Sequence, residues 1–139
     1  MQNDFDSFVL DTSFLSALFK KHDKFHDKAL HTYKEQLADH ELFIPITVII
    51  EFTLLTPKYF KYSELSNFLK ALNYKTIHLN IFFETELIEL WKKNQVINLK
   101  AVDLSVLISA VNNNSQLVTF DEKLNNVWTL FNKKSNLDK

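Results

Sequence analysis

No glycine occurs anywhere in these 139 residues, against an average of about 7% in ordinary proteins. Every backbone position that must turn left-handed therefore falls to Asn or Asp, which tolerate positive φ next best. Asn94 and the run Asn112-Asn113-Asn114 stand where such turns are needed. The same absence removes whole classes of site. Phosphate loops of the Walker or dinucleotide type need glycine so that backbone can close on the phosphates, and none can be built here. Cysteine is missing too, which excludes disulfides and thiolate metal sites. All sixteen basic residues are Lys, so no bidentate guanidinium clamp on phosphate or base edge is available. A formal charge of −1 argues against a large, purely electrostatic nucleic-acid footprint.

Hydrophobic periodicity alternates between short apolar runs and helical stripes. Phe8-Val9-Leu10 reads as a buried strand, and Phe14, Leu15, Leu18 and Phe19 follow at helical spacing. A second amphipathic helix is predicted over Asp23–Ala38, then a strand at Leu42-Phe43-Ile44. Pro45 suits the first turn of a third helix carrying Glu51. A fourth helix is marked by Tyr62, Leu65, Phe68, Leu69 and Leu72, and Thr76–Leu79 reads as a strand. Asn80 can cap a helix over Ile81–Lys93. Ala101–Val111 is apolar nearly all round, the mark of a buried helix, and Leu117–Phe120 is a further strand. Trp128-Thr129-Leu130-Phe131 reads as the last strand, with a polar, frayed tail from Lys133. Such alternation predicts an α/β domain with a mainly parallel sheet. One domain is expected over residues 1–139, with its core between about 6 and 132.

Four acids stand at the edges of apolar runs: Asp11, Glu51, Asp103 and Asp121. Singly, each has an ordinary explanation in capping or solvation, and Asp103 would suit the positive end of its helix. Ligands of open parallel sheets bind beyond the carboxyl ends of the strands, however, and Asp11 and Asp121 both follow strands directly. Carboxylates gathered at one edge repel one another and call for a divalent cation. The pattern therefore points to metal-dependent phosphodiester hydrolysis.

The order of these segments resembles the PIN-domain nucleases, especially the VapC-like toxins of toxin–antitoxin pairs. Phe8-Val9-Leu10-Asp11-Thr12-Ser13 is similar to that family's opening strand and first acid, and Val48-Ile49-Ile50-Glu51-Phe52 to its second-acid helix. Asp103–Ala110 is similar to the third-acid helix, and Leu117-Val118-Thr119-Phe120-Asp121 to the fourth-acid strand end. The resemblance implies a three-layer α/β/α sandwich and a Mg²⁺- or Mn²⁺-dependent endoribonuclease, with Asp11, Glu51, Asp103 and Asp121 as metal-binding and catalytic acids. The chain departs from the family in two ways. Asn112–Ser115 occupies a turn where glycine is common, and the arginines that often line the RNA path are absent.

Ser13 and Thr119 are candidates for a phosphate or a metal-held water, although hydroxyls commonly satisfy local backbone instead. Lys20, Lys21 and Lys24 form a basic cluster that suits an RNA backbone or, more plainly, a solvated face. His22 and His26 are four apart, but two ligands make no metal site. The expected partners are RNA, a second copy of the chain and a small antitoxin; Tyr59, Phe60 and Tyr62 beside Lys58 and Lys61 offer an interface. No apolar stretch reaches the roughly eighteen residues of a membrane span. The acidic start lacks a secretory signal, so a cytoplasmic location is expected. Two alternatives stand beside the toxin: a PIN nuclease of RNA or DNA processing, and a catalytically silent PIN-like binding module.

Overall fold

The computed structural model of the chain describes residues 5–78 and 98–137, together with Ile88, Glu89 and Lys92. Four parallel strands form its sheet: β1 (Ser7–Leu10), β2 (Glu41–Pro45), β3 (Lys75–Ile77) and β4 (Gln116–Val118), in the order β3-β2-β1-β4. Between them run α1 (Thr12–Phe19), α2 (His26–Thr32), α3 (Ile46–Leu55), α4 (Tyr62–Ala71) and α5 (Ala101–Asn112), and α6 (Glu122–Leu137) follows β4. The connections from β1 to β2 to β3 step one way across the sheet, and the return to β4 steps the other way. Right-handed crossovers then lay helices on both faces, giving the three-layer α/β/α sandwich. The direction reverses between β1 and β4, and that switch point is where open parallel sheets hold ligands.

Burial explains the sheet. All four residues of β1 are buried, as a central parallel strand covered on both faces requires. The core behind it gathers Phe14, Leu15, Ile44, Val48, Phe52, Leu107, Ile108 and Leu124. Removing such a side chain from water is worth about 1.5–3 kcal/mol each. The predicted buried helix is α5, whose residues Leu104–Ala110 are all buried.

Several expectations need correction. Trp128–Phe131 is helix rather than strand, lying within α6. Leu124 and Val127 are buried, and Trp128 and Phe131 pack against the core, which is the i, i+3, i+4 pattern of a helix face. Thr129 turns its hydroxyl to the Asn125 carbonyl four residues back, and Leu130 is left exposed. The β-favouring composition of that run yields to a helix already started by its cap. Pro45 closes β2 as the residue before α3 instead of opening the helix. The helix expected from Asp23 begins at His26, because Asp23 accepts the Phe25 N–H at 2.8 Å and holds a turn. Its far end widens into a π-helical turn over Tyr33–Leu37, with the Ala38 N–H reaching back to the Tyr33 carbonyl at 2.9 Å. Of the helix expected over Ile81–Lys93, Ile88, Glu89 and Lys92 are described and are helical, while its other residues, its cap Asn80 and the turn residue Asn94 lie outside the described residues. Among the described residues no helix is long and apolar enough to cross a membrane.

Asparagine takes the left-handed positions. Asn73, Asn98 and Asn114 have φ of 49°, 53° and 47°, and among the described residues no other has a positive φ. Asn114 lets the chain leave α5 and enter β4, with the Ser115 N–H closing on the Ala110 carbonyl at 2.9 Å. Asn114→Gly should therefore hold or raise stability, whereas Asn114→Val should lower it by ~1–2 kcal/mol. Urea unfolding checks this, and equal midpoints for all three proteins would show the turn to be unstrained.

Candidate active site

The parallel pairing of β1 with β4 sets Leu10 against Val118. One residue further, Asp11 and Thr119 leave the sheet side by side, and the Asp11 N–H continues the ladder to the Val118 carbonyl at 3.1 Å. Asp11 is only 3% exposed, and a buried carboxylate needs donors. Ser13 and Thr119 supply them, donating to Asp11 Oδ2 at 2.9 and 2.7 Å. Each hydroxyl in turn accepts a backbone N–H: Ser13 Oγ from Phe120 at 2.9 Å and Thr119 Oγ1 from Asp121 at 3.0 Å. Each hydroxyl has one proton, and both protons are spent on Oδ2. The 3.1 Å approach of Ser13 Oγ to Thr119 Oγ1 is thus a meeting of two acceptors, not a bond. Two chains of N–H to O–H to carboxylate fix the plane of Asp11 and leave Oδ1 outside them.

Asp121 precedes α6 and caps it, Oδ1 accepting the Leu124 N–H at 3.0 Å. Asp103 lies in the first turn of α5, where Lys100 stands just before the helix. Glu51 lies on α3, which a 2.6 Å bond from Thr47 Oγ1 to Ser105 Oγ ties to α5; the Ser105 proton already goes to the Val102 carbonyl. Asp11 immediately precedes α1. Three of the four acids therefore sit at helix N-termini, whose partial positive charge favours anions.

Asp103 senses the other three acids. The Asp103 carboxyl is pushed up from its ordinary 3.8 to about 6. Burial is the largest cause, followed by the charges of Asp11, Asp121 and Glu51, with Lys100 opposing them. Carboxylates from four separate elements thus share one electrostatic neighbourhood. As the side chains lie, however, no group of three or more His, Cys, Asp or Glu among the described residues is drawn close enough to hold an ion. These two facts are compatible, because Coulomb repulsion acts over a longer range than coordination bonds. Their oxygen-only donor set suits a hard divalent cation.

The other candidates divide. Ser13 and Thr119 belong to the acid site through Asp11. Lys20 ends α1, and Lys21 and Lys24 are exposed in the turn before α2. His26 does not stand with His22 as a ligand pair: its Nδ1 lies 2.8 Å from the Ala17 carbonyl and ties α2 to α1. Sequence reasoning missed Phe25 and Phe120, whose rings stack at 4.7 Å and 5° and bring the basic turn against the Asp121 strand end. Phe120 stands between Thr119 and Asp121, and that position was its signal.

The PIN domain family model matches residues 8–128. No curated protein matches the chain. Among solved structures, VapC20 of Mycobacterium tuberculosis, a sarcin–ricin loop cleaving toxin, superposes with a TM-score of 0.71. Its identity is 18%, over 86% of this chain and 94% of that one. PAE2754 of Pyrobaculum aerophilum gives 0.52 at 22% identity, over 85% and 82% of the two chains.

The raised Asp103 pKa has a consequence for stability. The folded state holds this proton more tightly than the unfolded chain, so ionisation above about pH 6 weakens the fold. Lowering the pH through 6 towards 4 restores that stability. In chelator, Asp103→Asn should melt at or above the wild type near pH ~7.5, and the wild type should regain ground by pH ~5. A difference between the two proteins that does not change with pH would contradict the crowding of these acids.

Proposed function

The chain belongs to the PIN-domain family, and on that premise we propose that it is a divalent-metal-dependent endoribonuclease acting as the toxin of a toxin–antitoxin pair. The observation that carries this reading is the coupling of Asp103 to Asp11, Asp121 and Glu51. Burial and the charges of Asp11, Asp121 and Glu51 raise the proton affinity of Asp103 at the sheet's switch point, and a cation would relieve that repulsion. Asp11 and Asp103 would hold one Mg²⁺ or Mn²⁺ directly or through water, and Glu51 and Asp121 would complete its shell, orient the attacking water or hold a second ion. A bound ion of this kind neutralises charge on a phosphoryl group and makes a nucleophile of water at neutral pH. Ser13 and Thr119 act through Asp11, holding its carboxylate in one orientation. Lys20, Lys21 and Lys24 attract the RNA backbone as hydrated point charges, without the fixed geometry that arginine would give.

Similarity of fold to a toxin that cleaves the sarcin–ricin loop supports structured or single-stranded RNA as substrate and restraint by an antitoxin. Leu54, Leu55, Tyr59 and Tyr62 are 79%, 60%, 80% and 85% exposed on α3, the turn after it and the start of α4. That much uncovered apolar surface supports a homodimer or an antitoxin contact. The separation of the carboxylates as they lie favours a second reading, a catalytically silent module of the same fold. Titration with Mn²⁺ separates the two.

Purified protein should cut RNA with Mg²⁺ or Mn²⁺ and stop in EDTA. Asp11→Asn and Asp103→Asn should each slow cleavage by ~100-fold or more, since even outer partners of a metal are worth 10–100-fold. Full turnover in either variant, or in chelator, would remove the metal mechanism.

Replacing both hydroxyls, Ser13→Ala with Thr119→Val, should weaken Mn²⁺ binding by about 10–100-fold while the protein stays folded. Unchanged Mn²⁺ affinity by calorimetry would mean that Asp11 needs no such support.

A further inference from the structure

We propose that Phe25 and Phe120 form a stacking platform for one base of the RNA, beside the acid site; this rests on the nuclease reading above. The rings make a column. Phe14, 1% exposed in the core, stacks on Phe120 at 5.8 Å and 26°, and Phe120 stacks on Phe25 at 4.7 Å and 5°. Phe120 covers one face of Phe25, and the ammonium of Lys24 stands over the ring, 4.8 Å from its centroid. A second ammonium, that of Lys28, lies 5.8 Å from the centroid of Phe120.

The column is tied to the acids through backbone. The Phe120 N–H is the donor that polarises Ser13 against Asp11, and Asp121 is the next residue. A base lying on Phe25 is thus one ring removed from Phe120, the residue between Thr119 and Asp121. The far end is equally fixed. Phe25 donates its N–H to Asp23 Oδ1 and accepts the Ala29 N–H at 2.8 Å, and His26 is anchored on Ala17. The platform is therefore organised before RNA arrives, and ordering it costs the complex little.

Chemistry selects the occupant. Half-buried aromatic faces flanked by ammonium groups are how single-stranded nucleic acids are held without sequence preference. With no Arg in the chain, guanidinium planes cannot stack on bases, and aromatic rings must. Lys24 holds Phe25 by a cation–π contact that is weak at exposed sites. An arriving nucleotide replaces the ammonium on the ring with a base and releases Lys24 to the phosphate. Lys24 and Lys28 stand at this end of the column; of the two acids two residues from Phe25, Asp23 is committed to the Phe25 N–H and Asp27 is exposed in the first turn of α2.

The test uses the full chain in an Asp103→Asn background with Mn²⁺, so that RNA stays intact, and a single-stranded RNA octamer carrying 2-aminopurine. The fluorophore at one position should be quenched on binding. Phe25→Leu, which keeps apolar volume but removes the π-face, should abolish the quenching and weaken binding by about 10-fold, and Phe25→Trp should retain both. An abasic site at the quenched position should cost the parent about 10-fold and cost the Leu variant nothing, a coupling that mere loosening of the turn would not produce. No quenching in the parent, or an equal abasic loss in both proteins, overturns the platform. Binding is read without cleavage, so the coupling seen here while the chain with Asp103 intact cuts no RNA overturns the nuclease reading alone. Cleavage by that chain that is indifferent to Phe25→Leu overturns the platform alone.

Discussion

Parallel pairing of β1 with β4 is the contact on which the site depends. It brings Asp11 to within hydrogen-bond reach of Thr119, 108 residues away, at the point where the chain's crossovers change direction. Much of what stabilises Asp11 comes through this pairing: the N–H of Phe120 acting through Ser13, the N–H of Asp121 acting through Thr119, and the Val118 carbonyl that receives Asp11's own N–H. A carboxylate almost wholly out of water persists because each hydroxyl is polarised by a backbone donor before it donates. Without β4 alongside, three of these links vanish together.

The acids are held in place by the same features that would explain them away. Asp121 is a helix cap, Asp103 a first-turn acid and Asp11 the residue before a helix. Three helix N-termini converge where the carboxylates converge, so partial positive charges offset part of the repulsion. The ordinary role of each residue and the role proposed for it therefore use one arrangement. A cap directs one carboxylate oxygen, Oδ1 of Asp121, into the helix and leaves the other for a different partner. The Asp103 carboxyl is raised first by its burial and then by the charges of Asp11, Asp121 and Glu51, which the dipoles do not cancel.

Aromatic packing joins the core to this edge. Phe14 is buried, Phe120 is half-buried between two site residues, and Phe25 belongs to the turn before α2. Phe19 extends a separate cluster with Phe52, Phe60 and Phe68 at 4.8–5.8 Å beneath α3 and α4. Phe60 is thereby explained as packing, while its neighbours Tyr59 and Tyr62 stay exposed.

Local rules sufficed for much of this. Short apolar runs between helical stripes announced a parallel α/β sheet, and the missing glycine announced asparagine at the left-handed turns, which Asn114 fulfils. Position relative to strand ends singled out Asp11 and Asp121, because the carboxyl edge of a sheet is legible from periodicity alone. Trp128–Phe131 was misread because a run of β-favouring side chains has the same composition in either state, and the cap at Asp121 decides between them. The sequence by itself determined most of the elements, the left-handed Asn114 and the choice of four acids, since each follows from neighbours within a turn or two, but not the left-handed Asn73 and Asn98. Only the tertiary structure decided that Ser13 and Thr119 serve Asp11, that Asp103 feels three distant charges, and that Phe25 lies on Phe120. Those facts depend on strand order and on contacts spanning up to 108 residues, which no local pattern encodes.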